Sequence, residues 1–288
     1  MEVHMGKIGL VVCGNSGIDY LQHDYDIRVI RSILLFGSEE YTDFIDIQAE
    51  DFYKRLNENP DLHVSTAQTA TGVILETYEQ LKADGYDEII AITISSKLSG
   101  TFEGAKMAAN MIEGIKVNVF DSLSVSYPEA YMVLQAAEMV KAGKTSTEII
   151  DRLIHIRENR GVLVSVDTLK YLVRNGRLSG AQGFLGSLLK VKPMLQLNRE
   201  GKLVPLEKIR TRSKALKRIV EAYVEDYHND NNIVFIAHAH APEEVEEVKQ
   251  DLLQRLPNLG EIKDYPLTPV VGAHAGPGTV ALGWVPKK

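Results

Sequence analysis

A run of small polar residues at positions 95–101, Ser-Ser-Lys-Leu-Ser-Gly-Thr, follows an apolar segment and precedes a helical pattern. Ser96, Ser99, Gly100 and Thr101 bring hydroxyls and free backbone N–H groups to a helix start, where a carboxylate or a phosphate is stabilised. Capping of the helix by Ser99 or Thr101 would use the same residue types. The spacing therefore predicts either an anion site or a helix cap.

A second polar junction covers residues 65–72, Ser-Thr-Ala-Gln-Thr-Ala-Thr-Gly, again between an extended piece and a helix. In an open parallel sheet, the loops at the carboxyl ends of adjacent strands form the usual crevice for small ligands. We therefore expect Thr66 and Ser99 to contact one ligand from two such loops. Gln68 belongs to the same junction and is a further candidate.

Two later segments carry a cation and a titratable group. A predicted helix ends at Asn175-Gly176, and the glycine supplies a left-handed cap that places Arg177 just beyond it, facing either a cleft or solvent. His274 stands in Gly-Ala-His-Ala-Gly-Pro-Gly, residues 272–278, among side chains too small to fill a core around it. Such a histidine either donates a hydrogen bond to a carboxylate, acts as an acid or base, or is structural.

The sequence lacks the residue patterns of several other common functional sites. His238 and His240 have no Asp, Glu or Cys at ligand spacing, so no metal site is expected. The sequence contains no Gly-x-Ser-x-Gly elbow, no P-loop and no strand-linked Gly-x-Gly-x-x-Gly, and no cofactor is expected. Cys13 lies in an apolar run and is expected to be a buried small hydrophobe.

Composition limits the class of partner. Acidic residues outnumber basic ones by 39 to 32, which disfavours general nucleic-acid binding. The stretch from Lys190 to Arg218 nevertheless concentrates ten basic residues with only Glu200 and Glu207, which indicates either a local partner surface or a solvated face. No apolar run of about eighteen residues and no secretory signal occurs. We therefore expect a cytoplasmic protein without stable membrane insertion.

The elements that position these residues indicate an α/β protein of two lobes. Strand and helix patterns alternate through the first half, which predicts a parallel sheet covered by helices in an N-terminal domain of residues 1–160. Residues 161–288 form the second domain, which the pattern predicts as mixed α+β. It contains the strand Val162 to Val166, a hairpin of Met194 to Leu197 with Leu203 to Leu206, a helix from Ser213 to Tyr227, and a glycine-rich terminal strand.

Taken in order, these segments resemble the DegV family of bacterial fatty-acid-binding proteins, which includes the acyl-carrying subunit of fatty acid kinase. The family's Ser-Ser-x-Leu-Ser-Gly-Thr matches residues 95–101 in full, and its Gly-x-His-x-Gly-Pro-Gly is similar to residues 272–278. Its Gly-Gly-Arg resembles residues 175–177, and its Lys-x-Lys-Pro resembles residues 190–193. The likeness spans essentially the whole chain.

The resemblance implies a fatty acid between the two lobes, with its carboxylate near Thr66, Ser99 and His274. It also implies that Arg177 and the basic stretch face a separate kinase subunit, so that the chain alone is not an enzyme. Two family motifs depart here: Thr-Asp-Ser appears as Gly14-Asn15-Ser16, and Thr-Ser-Gln-Pro-Ser appears as residues 66–70, Thr-Ala-Gln-Thr-Ala.

Two other functions stay open from the residues alone. One is an enzyme acting on a small anionic or phosphorylated substrate, with His274 as acid or base and the Ser99 turn as anion site. The other is a regulator that binds a partner through the stretch from Lys190 to Arg218.

Overall fold

A computed structural model describes residues 6–59, 61–180 and 191–287. Its first half is built on a four-stranded, wholly parallel sheet in the order β2-β1-β6-β7. The strands of this parallel sheet are β1 (Ile8–Cys13), β2 (Ile27–Ile30), β6 (Glu88–Thr93) and β7 (Lys116–Asp121). All six residues of β1 are buried, as expected of a central strand with both faces covered.

Helices cover the two faces of the parallel sheet. On one face, α2 (Thr71–Ala83) and α3 (Thr101–Met111) pack against Val11 and Ala91. On the other face, α4 (Tyr127–Lys141) packs against β1 and β6, and α5 (Ser146–Asn159) packs on α4. Thr145 begins α5 with a capping box, since its hydroxyl accepts from the Glu148 amide while the Glu148 carboxylate accepts from the Thr145 amide.

A small antiparallel sheet, in the order β4-β3-β5, extends the first half. Its strands are β3 (Ile33–Phe36), β4 (Glu39–Thr42) and β5 (Val64–Ala67), and α1 (Ala49–Glu58) connects the last two. Two of these strands, β3 and β4, are absent from the prediction, as is β2. Each has only four residues, too few for a strand period to stand out from a loop.

The second half is built on a six-stranded mixed sheet in the order β10-β9-β8-β13-β11-β12. Only β11 and β12 pair in parallel; the other neighbours are antiparallel. The strands are β8 (Gly161–Ser165), β9 (Met194–Leu197), β10 (Leu203–Glu207), β11 (Asn232–His238), β12 (Ile262–Pro266) and β13 (Val280–Pro286).

The mixed sheet presents its two faces to different layers. Leu163 and Leu282 point to α7 (Arg212–Ala222) and α8 (Pro242–Arg255), while their neighbours Val164 and Ala281 join the apolar cluster that contains residues of the parallel sheet. Two shorter helices, α6 (Lys170–Arg174) and α9 (Pro269–Ala275), lie against each other. The helix predicted from Ser213 to Tyr227 is α7 followed by a π-helical turn, Tyr223–Tyr227.

The predicted fold, a parallel-sheet α/β lobe followed by a mixed α+β lobe, is confirmed. Two tyrosine hydroxyls link the first and second halves of the chain. Tyr53 donates to the Leu267 carbonyl at 3.0 Å, and Tyr265 donates to the Ser16 carbonyl at 2.8 Å. The division into domains 1–160 and 161–288 stays a prediction. No helix in the described ranges is long and apolar enough to cross a membrane.

Candidate functional site

A cavity of about 250 Å³ lies between the carboxyl-end edge of the parallel sheet and the inner face of the mixed sheet. This volume is far more than the space that a single buried water molecule occupies. The cavity therefore suits a medium-sized organic ligand.

One wall of the cavity is apolar and comes from the mixed sheet. Leu203, Leu197 and Val162 stand opposite one another on adjacent strands and form a continuous row. On the next strands, Gly283 leaves space for the ring of Phe235, because an added Cβ at Gly283 would lie 2.2 Å from Phe235 Cζ. This wall can pack against a hydrocarbon chain but offers it no polar contact.

His274 and Thr66 form the polar centre of the opposite wall. The Thr66 hydroxyl and His274 Nε2 are hydrogen-bonded at 2.8 Å, and both residues line the cavity. His274 lies on α9, whose residues Val270, Val271 and Ala275 line the cavity with it. Thr268 caps this helix by accepting from the Val271 amide at 3.4 Å.

Thr66 lies on a different kind of element from the predicted one. It lies within β5, an antiparallel strand of the small sheet, where Leu34 is its partner. The prediction that Thr66 lies in a loop at the carboxyl end of a parallel strand is therefore wrong. Ser99 does follow a parallel strand, β6, and both residues line the same cavity.

The protonation state of His274 follows from its surroundings. Burial lowers its pKa from 6.5 to about 4, and the positive charge of Arg177 adds to the shift. The imidazole is thus neutral near pH 7. Its Nδ1 atom is buried and has no hydrogen-bond partner within the described part of the chain.

The Ser95–Thr101 segment separates into residues that line the cavity and residues that do not. Ser99 lines it, and its hydroxyl is 2.8 Å from the Thr101 hydroxyl and accepts from the Thr101 amide at 3.3 Å. Thr101 is buried behind it and begins α3. Ser96 is turned away from the cavity lining, with its amide donating to Asp121 Oδ1 at 3.1 Å.

Gln68 and Gly100 lie together at an exposed rim. Gln68 lines the cavity, whereas Gly100 supports Gln68 from outside it. A Cβ atom added at Gly100 would lie 2.2 Å from Gln68 Oε1, so only glycine lets the amide cross this point. The rim is where a ligand in the cavity would meet solvent.

Arg177 is placed as its sequence context suggested. Gly176 has a φ of +67°, and the Arg177 amide donates back to the Leu172 carbonyl at 3.0 Å, which closes α6. The Arg177 side chain lines the cavity and donates from Nε to the Leu98 carbonyl at 3.2 Å. Its charge therefore lies beside His274. We call Thr66, Ser99, Arg177 and His274 the head-group cluster.

Four further polar residues line the cavity. Thr279 donates its hydroxyl to the Ala275 and Gly276 carbonyls at the end of α9. The other three are Asn15, Ser32 and Ser126. They follow β1 and β2 and precede α4, again at the carboxyl-end edge of the parallel sheet. None was a candidate from the sequence. The one available signal was a strand followed at once by small polar residues, Gly14-Asn15-Ser16, which is the pattern that singled out Ser99.

The basic stretch is less positive than its sequence suggested, because acidic side chains from inside and outside the stretch pair with it. Lys192 pairs with Asp167, Arg212 lies 3.7 Å from Glu244, and Arg218 contacts both Glu207 and Glu225. Lys190 lies outside the described residues. Two lysines on α7, Lys214 and Lys217, are exposed and without an ion pair in the described part of the structure.

Histidines 238 and 240 do not gather further metal-binding side chains. His238 Nε2 lies 3.3 Å from Asp264, and its Nδ1 accepts from the Ala241 amide at 3.1 Å. Among the described residues, no three His, Cys, Asp or Glu side chains are close enough to hold a metal ion.

Comparison with known proteins matches this architecture. A family model described as "Uncharacterised protein, DegV family" matches residues 11–287. A DegV domain-containing protein from Halalkalibacterium halodurans is 35% identical over 263 residues, covering 91% of this chain and 92% of that protein. The crystal structure of DegV, a fatty acid binding protein from Bacillus subtilis, has a TM-score of 0.85 and 32% identity, covering 98% of this chain and 100% of that one. A fatty-acid-binding DegV family protein from Thermus thermophilus has a TM-score of 0.84 and 27% identity, covering 97% and 99%.

Proposed function

Because this chain belongs to the DegV family, we propose that it binds one long-chain fatty acid in the cavity between the two sheets. The observation that carries the proposal is a cavity with one apolar wall and, on the other, the head-group cluster, with the exposed residues Gln68 and Gly100 nearby. The Bacillus subtilis and Thermus thermophilus relatives, both described as fatty-acid-binding, support the same ligand class.

The apolar wall supplies the affinity. About fifteen methylenes at about 0.8 kcal/mol each contribute about 12 kcal/mol before the costs of association, which are several kcal/mol. Leu197, Leu203 and Val162 face this chain from the mixed sheet.

The head-group cluster sets the orientation. A carboxylate taken out of water must receive hydrogen bonds or a countercharge. Thr66 and Ser99 supply hydroxyl donors, neutral His274 supplies one N–H, and Arg177 supplies the positive charge. A bound carboxylate would compete for the Thr66–His274 hydrogen bond.

We further propose that the protein presents the acid to a separate kinase and performs no chemistry alone. The carboxylate oxygen would accept the terminal phosphoryl group of ATP on the kinase, and ADP would leave. Exposure of Gln68 and Gly100 at the rim keeps the carboxylate end approachable from outside. Lys214 and Lys217 on α7, which have no ion pair among the described residues, offer positive charge to an acidic partner surface.

Mass spectrometry of an organic extract of the purified protein tests the binding. We expect about one long-chain fatty acid per chain, and a lower content in Thr66→Val, Ser99→Ala and His274→Ala. His23→Ala, at an exposed histidine away from the cavity, is the matched control and should retain full content. Full retention in all three cavity variants would disprove the head-group assignment.

Reconstitution with a bacterial fatty acid kinase and ATP tests the presentation. Acyl phosphate should form only when both proteins are present. A double reversal, Lys214→Glu with Lys217→Glu, should slow its formation without changing lipid content, whereas Lys54→Glu on α1 should do neither. Acyl phosphate or ester turnover by the chain alone, lost in His274→Ala, would instead favour an enzyme.

A further inference from the structure

The cavity stops at a defined row of the mixed sheet. Val162, Gly283 and Phe235 stand opposite one another on adjacent strands, and Val162 and Phe235 line the cavity. The next pair on the same face is Ile233 with Val285, because side chains two residues apart on a strand point the same way. Neither Ile233 nor Val285 lines the cavity. Along these strands the cavity therefore ends at the Val162–Gly283–Phe235 row.

The ring of Phe235 covers this end row. Gly283 is the partner of Phe235 on β13, and a Cβ atom added at Gly283 would overlap both Cζ and Cε1 of the ring. The ring therefore extends from its own strand across the backbone of Gly283. In that position it blocks the inner face of β13, where a ligand lying along the strand would otherwise continue.

Aromatic side chains behind Phe235 hold its ring in place. The Tyr127 ring lies 4.8 Å from the Phe235 ring, centroid to centroid, and packs edge-on against Tyr265 at 5.3 Å. All three residues are buried, and neither tyrosine lines the cavity. The space behind the ring is thus filled by packed side chains, which leaves the ring little room to move aside.

Phe235 is well separated from the head-group cluster. The Thr279 hydroxyl donates to the Ala275 carbonyl at 2.9 Å, at the end of the helix that carries His274. Thr279 immediately precedes β13, and Gly283 lies four residues further along the chain, a distance of about 13 Å in an extended strand. An acyl chain whose carboxylate lies at the head-group cluster can therefore extend along the apolar wall until it meets the Phe235 ring.

We propose that Phe235 closes the acyl end of the cavity and sets the longest fatty acid that the protein accommodates. This inference rests on the proposed fatty-acid function. Each methylene that is buried before the ring is reached adds to the affinity. A longer acid would have to displace a packed ring or move its carboxylate away from the head-group cluster, and both are unfavourable. Affinity should therefore rise with chain length up to one acid and fall for the next.

Direct binding of saturated fatty acids to delipidated protein tests the inference, in a series from myristic to behenic acid that lengthens by two methylenes at a time. The wild-type protein should show an optimum within the series. Phe235→Ala, which removes the ring, should bind the acid one step longer than that optimum about 10-fold more tightly than the optimum itself, the gain from two buried methylenes. Phe235→Leu should shift the preference in the same direction by less.

Phe52→Leu is the matched control for these variants. Phe52 is a buried phenylalanine on α1 that does not line the cavity, so its replacement also removes core packing. The variant should keep the wild-type optimum.

The outcomes separate the two proposals. If wild-type affinity keeps rising to the longest acid, or if the Phe235 variants keep the wild-type optimum, Phe235 does not close the cavity and the inference is wrong. If no acid of the series binds at one per chain, the fatty-acid function itself fails. Should Phe235→Ala not fold, the wild-type series and Phe235→Leu still decide.

Discussion

At the scale of single residues, His274 shows how a cavity selects a protonation state. Its imidazole is buried beside the Arg177 guanidinium, and both the loss of solvation and the neighbouring positive charge disfavour a second cation. A neutral imidazole has one donor and one acceptor, so it can hydrogen-bond to Thr66 and still be re-oriented toward a ligand. Under the proposed function, Arg177 would carry the charge that attracts a carboxylate.

This protonation state gives the ligand-free protein a defined pH dependence. Because the pKa of His274 is lowered from 6.5 to about 4, the folded protein binds fewer protons than the unfolded chain between those values. The free energy of unfolding should fall as the pH decreases through that interval, by up to about 3 kcal/mol, and be fully retained above it. Urea unfolding of delipidated protein between pH 4 and 7 measures this decrease in the free energy of unfolding.

The matched variant for this measurement is His274→Gln, which keeps a polar side chain but does not titrate. Its unfolding free energy should depend less on pH over the same interval. Identical curves for the two proteins would show that folding does not shift the pKa of His274.

At the scale of elements, the helices and strands with a strong local sequence pattern could be predicted. The hairpin of β9 and β10 was expected because four-residue apolar strands flank Asn198 to Gly201, and the structure confirms the antiparallel pair. The helix α9 was not expected. It has only seven residues, among them glycine and two valines, and its helical state is set by the Thr268 cap, Pro269 at its first position and packing on α6.

The geometry of the candidate site was less predictable than its residues. Thr66 and Ser99 were both expected at one site, yet the strand that carries Thr66 pairs antiparallel in a sheet whose other strands were missed. Pairing between short segments is decided by long-range packing, which a single sequence does not display. Asn15, Ser32 and Ser126 were missed for the same reason, since they meet only in the folded chain.

The β9–β10 turn also joins two elements that are distant in sequence. Gly201 has a φ of +79°, its carbonyl accepts from the Ser95 hydroxyl at 2.8 Å, and an added Cβ would lie 3.0 Å from Leu123 Cα. The left-handed backbone costs a non-glycine residue about 1–2 kcal/mol, and the overlap with backbone adds about 1–3 kcal/mol. Gly201→Ala should therefore lower the free energy of unfolding by about 3 kcal/mol.

Gly37 provides the matched control for that substitution. It occupies the turn between β3 and β4 with a φ of +65°, and nothing lies within 4 Å of an added Cβ. Gly37→Ala should cost only the backbone strain of about 1–2 kcal/mol. Chemical denaturation compares the free energies of unfolding of the two variants. Equal losses would mean that an added Cβ at Gly201 does not overlap with its neighbours.

At the scale of the whole molecule, the cavity lies where the three sheets meet. Its walls come from the carboxyl-end edge of the parallel sheet, from the small sheet and from the inner face of the mixed sheet. The three meet in one apolar cluster, which includes Ile92, Leu34 and Val164. A ligand held there contacts all of them at once, whereas the unfolded chain offers it no such site.

Removal of the lipid should therefore destabilise the entire fold rather than one loop. A ligand present at about a hundred times its Kd stabilises the folded state by about 2.7 kcal/mol, which raises the Tm of a chain of this size by about 5 °C. Calorimetry of delipidated protein should show a lower Tm that is restored by adding back fatty acid. His274→Ala should need more fatty acid for the same recovery, because its head-group contacts are fewer. A Tm that is indifferent to lipid in both proteins would mean that the folded protein does not bind fatty acid, and would overturn the proposed function.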